Sequence, residues 1–261
     1  MFNKDNPINT VIVAGVLCLV CSAIVSVAAI GLKPIQDRNK ALDKKKNVLI
    51  AAGLMKRGED KDVEETFKTM IEDRIFDFVE GKDVTAEYGN DVQKFDAEAE
   101  TEVDGKHEVL IGARDIAQIK KRENRAHIYI VKKSADDPTP TRYVFPIRGR
   151  GLWSTMKGFL ALDADLSKAG GITFYEDQET PGLGGEINSA AFQNQWPEKV
   201  VLDDKSSVVL RVVKNASKNN EIDALSGATI TSNGVQNSVT YWLGPEAYGK
   251  FISSIKPNSS K

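Results

Sequence analysis

Residues 223–234 read Asp-Ala-Leu-Ser-Gly-Ala-Thr-Ile-Thr-Ser-Asn-Gly, or DALSGATITSNG. Thr229 follows three small residues, Ser226, Gly227 and Ala228. It precedes apolar positions at helical spacing, Val235, Val239, Trp242 and Leu243, and the pattern stops at Gly244-Pro245. Thr231 or Ser232 reads as the N-cap. Thr229 then stands just ahead of the helix, where unpaired backbone N–H groups and the positive end of the dipole favour an anion. A phosphate ester on its hydroxyl would be stabilised at that point.

Upstream of this helix the texture is that of short strands: Ala126–Val131, a polar loop through Pro138 and Pro140, then Tyr143–Ile147, Gly158–Leu162, Gly171–Tyr175 and Ser207–Val213. Ala191–Trp196 reads as a short helix with Phe192 and Trp196 on one face. Hairpin-like strands beside separate helices predict an α+β fold with a largely antiparallel sheet. Between Lys33 and Gly81 the spacing of Leu42, Leu49, Ala52, Val63, Phe67, Met70, Ile71, Ile75 and Phe78 predicts two packing helices. Asp60 and Asp62 precede the second, Glu64 and Glu65 lie in its first turn, and Gly81 ends it. The acidic stretch Asp91–Gly105 reads as a loop or linker, and Asn258–Lys261 as a polar tail.

The chain of 261 residues is 41% hydrophobic, enough for a packed core. Val11–Leu32 is a run of 22 residues without a charge, roughly 33 Å as a helix and long enough to cross a bilayer. It exceeds the roughly 7 to 15 apolar residues of an ordinary signal peptide, so a retained anchor is favoured over cleavage after Val27-Ala28-Ala29 behind Lys4. Both cysteines, Cys18 and Cys21, lie inside this run. The remainder therefore holds no disulfide, thiolate metal site or cysteine nucleophile. The two histidines, His107 and His127, stand in unrelated contexts, which speaks against zinc or haem. A net charge of −2 argues against a nucleic-acid surface. Redox chemistry on this chain requires a bound organic cofactor.

Two further motifs bear on a site. Glu179-Thr180-Pro181-Gly182-Leu183-Gly184-Gly185 puts three glycines around one leucine, which suits close approach to a flat ring or a plain structural loop. Pro146–Met156, with Arg148, Arg150 and Trp153 in a glycine-rich turn, is either a cover for a phosphate and a ring or a tight strand connection. The fingerprints of dinucleotide folds, phosphate loops, hydrolase elbows and zinc proteases are missing.

In this order behind an apolar N-terminal helix, DALSGAT, ETPGLGG and GRGLWSTMKGF resemble the covalent-FMN-binding C subunit of the sodium-translocating NADH:quinone reductases, from the anchor to about Phe251. The G subunit of the related electron-transport complex named for nitrogen fixation shares the flavin site and the anchor. The long region before Gly149 and Gly184-Gly185-Glu186 favour the sodium-pump protein. The resemblance implies FMN joined by a phosphoester to Thr229, single-electron relay within a membrane complex, and maturation by a flavin transferase that reads Asp223. It also implies that Ser226, Gly227 and Ala228 shape the phosphate loop, that Glu179, Thr180, Gly182, Leu183 and Gly184 lie along the isoalloxazine, and that Trp153 is a further contact. The expected organisation is an anchor at 1–33, a membrane-proximal helical region and linker at 34–105, and an FMN-binding domain at 106–261. The family has its flavin domain outside the bacterial inner membrane. Lys33, Arg38, Lys40, Lys44, Lys45 and Lys46, diluted by Asp37 and Asp43, point the other way, toward a cytoplasmic flank. A non-redox anchored adaptor and a flavin reductase with its own NADH site are the competing readings.

Overall fold

The computed structural model describes residues 7–59 and 62–256; Lys4, Asp60 and the tail Asn258–Lys261 lie outside them. In chain order the elements used below are α1 (Pro7–Ala51), α2 (Val63–Met70), β1 (Ile71–Asp77), β2 (Lys82–Asp83), α3 (Ala97–Glu100), β3 (His107–Val109), β4 (Lys121–Glu123), β5 (Arg125–Lys132), β6 (Pro140–Arg150), β7 (Thr155–Asp163), β8 (Ala169–Glu176), α4 (Ala190–Gln193), β9 (Arg211–Val213), β10 (Glu221–Asp223), α5 (Thr229–Trp242) and α6 (Gly249–Ile255). The chain divides into two compact units, Met1–Asp43 and Lys44–Lys261.

Helix α1, which begins in the first unit, is the one helix among the described residues long and apolar enough to cross a membrane. Pro34 does not end it. A proline inside a helix removes a single backbone bond, and the flanking residues, good helix formers, carry the helix onward.

The second unit is built on a six-stranded sheet, ordered β2-β1-β5-β6-β7-β8, antiparallel at every pairing. Alternation along the strands decides its two faces. Tyr143, Phe145 and Ile147 on β6 and Leu160 and Leu162 on β7 join Val235, Val239 and Trp242 of α5 and Tyr248 and Ile252 in one core. Val144, Phe159, Ala161 and Val131 face the opposite way and pack under Val48, Leu49 and Ala51 from the end of α1, Ala52 just after it, and Phe67 of α2. The expected α+β class with a largely antiparallel sheet is the observed one, and four of the expected strands fall within β5, β6, β7 and β8.

Other expectations are corrected. The second helix before Gly81 covers only Val63–Met70, N-capped by Asp62, whose carboxylate accepts from the Glu65 amide. Ile71–Asp77 is instead β1, paired along its length with β5 from Ile71↔Val131 to Asp77↔Arg125. Ile71 and Ile75 are four apart, a spacing that fits a helix face and a strand face equally. Pairing with β5 settles the matter, and Gly81, at φ +70, turns the chain between β1 and β2. Because β1 lies within the main sheet, a division at 105/106 would cut a single layer. Of Ser207–Val213, only Arg211–Val213 is a strand, pairing in parallel with β10.

Candidate functional site

The site is assembled at the start of α5. The helix begins at Thr229 itself, with Ala228 at the N-cap position and no side chain capping it. Thr231 and Ser232, expected as caps, point inward and are buried. Ser232 Oγ accepts from the Leu225 amide at 3.0 Å, and Thr231 Oγ1 donates to Glu179 Oε2 at 2.5 Å. Thr229 is exposed at the first helical position, so the uncapped N–H groups of the first turn and the dipole converge beside its hydroxyl. Gly149 and Gly234 let this helix lie directly on β6: a Cβ at 234 would sit 2.9 Å from Met156 Cε, and one at 149 would sit 3.2 Å from Ser238 Cβ. Gln236 fixes the other side, accepting from Val212 N at 2.6 Å and donating to Leu210 O at 2.9 Å.

The β6–β7 hairpin closes at Arg150↔Thr155, so 151–154 form its connection, and the segment after β8 runs alongside. Glu179 joins the two. Its Oε1 accepts from Trp153 N at 2.9 Å and Ser154 N at 3.4 Å, and its Oε2 accepts from Leu152 N at 3.2 Å as well as from Thr231. Burial pushes this carboxyl up, yet the Thr231 hydroxyl and the amides of Trp153, Leu152 and Ser154 outweigh it and hold the group below the usual glutamate range. Glu179, expected along a flavin ring, braces the hairpin loop against α5 through these donors.

Gly151 and Gly184 make room for that carboxylate. A Cβ at 151 would stand 2.5 Å from Glu179 Oε1, and one at 184 would stand 2.6 Å from Thr231 Oγ1 and 2.7 Å from Glu179 Oε2. Gly184 is accordingly buried. Gly182, at φ +77, has open space around it, and Gly227, at φ +74, lies under Leu183, whose Cδ2 would be 3.2 Å from a Cβ there. Leu183 is thereby placed beside the DALSGAT loop. Trp153 donates from Nε1 to Thr180 Oγ1 at 3.1 Å and is 62% exposed. Leu152, Leu183 and Ile230 are also exposed, so the hairpin loop, the segment after β8 and the first turn of α5 each present apolar surface, Leu183 against Gly227 and Ile230 next to the exposed Thr229.

Large exposed apolar side chains on these segments, together with small residues and an uncapped helix start, have the chemistry to take a flat aromatic ring bearing a phosphate. The residues present fit FMN on these grounds.

Arg148 does not belong to this site. It lies in a buried ion pair, its Nη1 donating to Glu123 Oε1 at 2.8 Å, with its guanidinium 5.0 Å from the Trp242 ring centre. Arg150 is exposed. Asp223 is exposed too; one carboxylate oxygen accepts from Ala216 N at 2.7 Å, closing the loop between β9 and β10. Thr231 as the partner of Glu179 was missed by sequence reasoning. The two are 52 residues apart, and no local spacing signals such a pair.

A model of the FMN-binding domain matches residues 151–244. The chain is 40% identical to the C subunit of the Na(+)-translocating NADH-quinone reductase of Yersinia pestis, over 99% of this chain and 97% of that protein. It is 41% identical to the protein of that name from Haemophilus ducreyi, over 98% and 96%. Among solved structures, the crystal structure of Shewanella oneidensis NqrC superposes with a TM-score of 0.76 at 28% identity, covering 84% of this chain and 99% of that one. The equivalent protein from Parabacteroides distasonis superposes at 0.63 with 25% identity, covering 85% and 97%.

Proposed function

Since the chain belongs to the family of C subunits of the Na(+)-translocating NADH-quinone reductases, we propose that it is the electron-carrying member of that complex, with FMN held at the start of α5 through a phosphoester on Thr229. The observation that carries this reading is the sorting of four neighbouring hydroxyls. Ser226, Thr229, Thr231 and Ser232 lie within seven residues, yet Thr231 and Ser232 are buried and engaged. Of the two exposed hydroxyls, Thr229 alone occupies the first position of a helix of 14 residues, where the dipole stabilises the added negative charge.

Bound FMN supplies one-electron redox chemistry that the side chains of this protein lack. The protein's part is placement. Ser226, Gly227 and Ala228 keep the approach to Thr229 unobstructed, Leu183 and Trp153 offer apolar surface on either side, and Thr180 holds the indole through Nε1. Gly182 leaves the rim open where a side chain would project. Asp223, exposed six residues before Thr229, is available for recognition by the flavin transferase in addition to closing its own loop. The apolar half of α1 anchors the chain in the bacterial inner membrane beside the other subunits. The flavin domain lies on the periplasmic side, as the family resemblance implies, because a long domain translocates despite a diluted basic flank.

In-gel fluorescence of denatured chain from a host with the transferase tests the reading. Wild type and Ser226→Ala are expected to fluoresce and Thr229→Val to be dark; a fluorescent Thr229→Val chain would exclude this attachment.

A further inference from the structure

Two hydroxyls two residues apart on a helix point about 200° from each other. With Thr231 turned inward onto Glu179, Thr229 is turned outward. The carboxylate that receives Thr231 also receives three consecutive amides of the hairpin loop, and it is 6% exposed. Glycine at 151 and at 184 leaves space for it from two sides, and any side chain there would collide with it. The loop has a second tie in the same place, since Ser154 Oγ accepts from Gln178 N at 2.8 Å. All these contacts are made between groups of the protein itself.

We infer that Thr231 and Glu179 are a positioning pair: the Thr231 hydroxyl, acting through the Glu179 carboxylate, fixes the Leu152–Ser154 loop and its Trp153 indole beside Thr229 before any flavin is attached. The inference rests on the reading of Thr229 as the FMN site, but the pair itself is testable without FMN.

In the unmodified full-length chain in detergent, hydrogen exchange of the peptide spanning 150–156 reads the loop. Thr231→Val is expected to speed its exchange by roughly tenfold or more, because a hydrogen bond to a charged group is lost. Thr231→Ser, which keeps the hydroxyl, should restore protection, and the later turns of α5 around Val239 should not change in either variant. In the FMN-bearing chain, flavin fluorescence anisotropy should fall in Thr231→Val and recover in Thr231→Ser. If Thr231→Val does not fold, Glu179→Gln replaces it with the same expectations for loop exchange and anisotropy. Unchanged exchange of 150–156 overturns the pair. Faster exchange with unchanged anisotropy overturns its link to the flavin. A chain that never carries FMN refutes the proposed function, while the exchange result still decides the pair.

Discussion

Replacing Gly234 by alanine tests how closely the helix that presents Thr229 must sit on β6. The added Cβ would lie 2.9 Å from Met156 Cε and 3.1 Å from the Arg150 carbonyl carbon, with the carbonyl oxygen nearer still, where ordinary contact begins at 3.4 Å. Met156 can bend away, but the Arg150 carbonyl belongs to a strand hydrogen-bonded to β7 on one side and through Arg150 N to Ala117 O on the other. The helix must therefore lift, loosening Val235, Val239 and Trp242 from the core. Overpacking of this kind costs about 1–3 kcal/mol, and a rigid backbone obstacle belongs in the upper half of that range. Alanine returns about 1 kcal/mol of helix propensity. The net loss is about 1–2 kcal/mol, or a Tm lower by about 2–8 °C for a domain of this size. Thermal unfolding of the detergent-solubilised chain, followed by tryptophan fluorescence, reads the change. A Tm equal to or above wild type would refute the close-approach argument, because propensity would then have won.

His127 carries a pH dependence. Burial pushes its pKa down, but the hydrogen bond and charge of Asp73 at 2.7 Å and the Phe95 carbonyl at 2.9 Å outweigh burial and the nearby Lys44, so the folded value is raised. The stabilisation is thus complete below the ordinary histidine value of about 6.5 and is lost as pH rises through the raised one. Tm should decline across that interval in wild type and stay flatter in His127→Gln; parallel curves would count against it. At the buried Arg148–Glu123 pair, Arg148→Met leaves a carboxylate without its partner and should cost about 3–5 kcal/mol in denaturant unfolding. Arg148→Met with Glu123→Leu should recover most of the loss, and a single-variant cost below about 1 kcal/mol would show the pair to be dispensable.

The strands of the sheet's middle and far edge were legible because both physical signals are present in them: alternation such as Tyr143-Val144-Phe145, and punctuation by Pro138, Pro140 and the glycines of 149–151. β1 was not legible. Ile71 and Ile75 satisfy either period, and what makes the segment a strand is its partner β5, far along the sequence. The site divides in the same way. The exposed position of Thr229 near a helix start was legible in DALSGAT and the apolar spacing after it, whereas the start itself was misplaced toward Thr231 and Ser232. Hydroxyls at those two positions look like caps locally, and only the packed structure shows them turned inward to Glu179 and the Leu225 amide. The role of Arg148, open in the sequence between a phosphate cover and a strand connection, was undecided for a related reason, because a charged side chain near a glycine turn gives no hint that Glu123 is buried beside it.

Peptide mapping by mass spectrometry of the native chain addresses the central claim most directly. The account predicts that the peptide containing residues 223–234 is heavier by one FMN less water, with fragment ions assigning the addition to Thr229. An unmodified peptide from cells that contain the transferase, or an addition on Ser226 in its place, would contradict it.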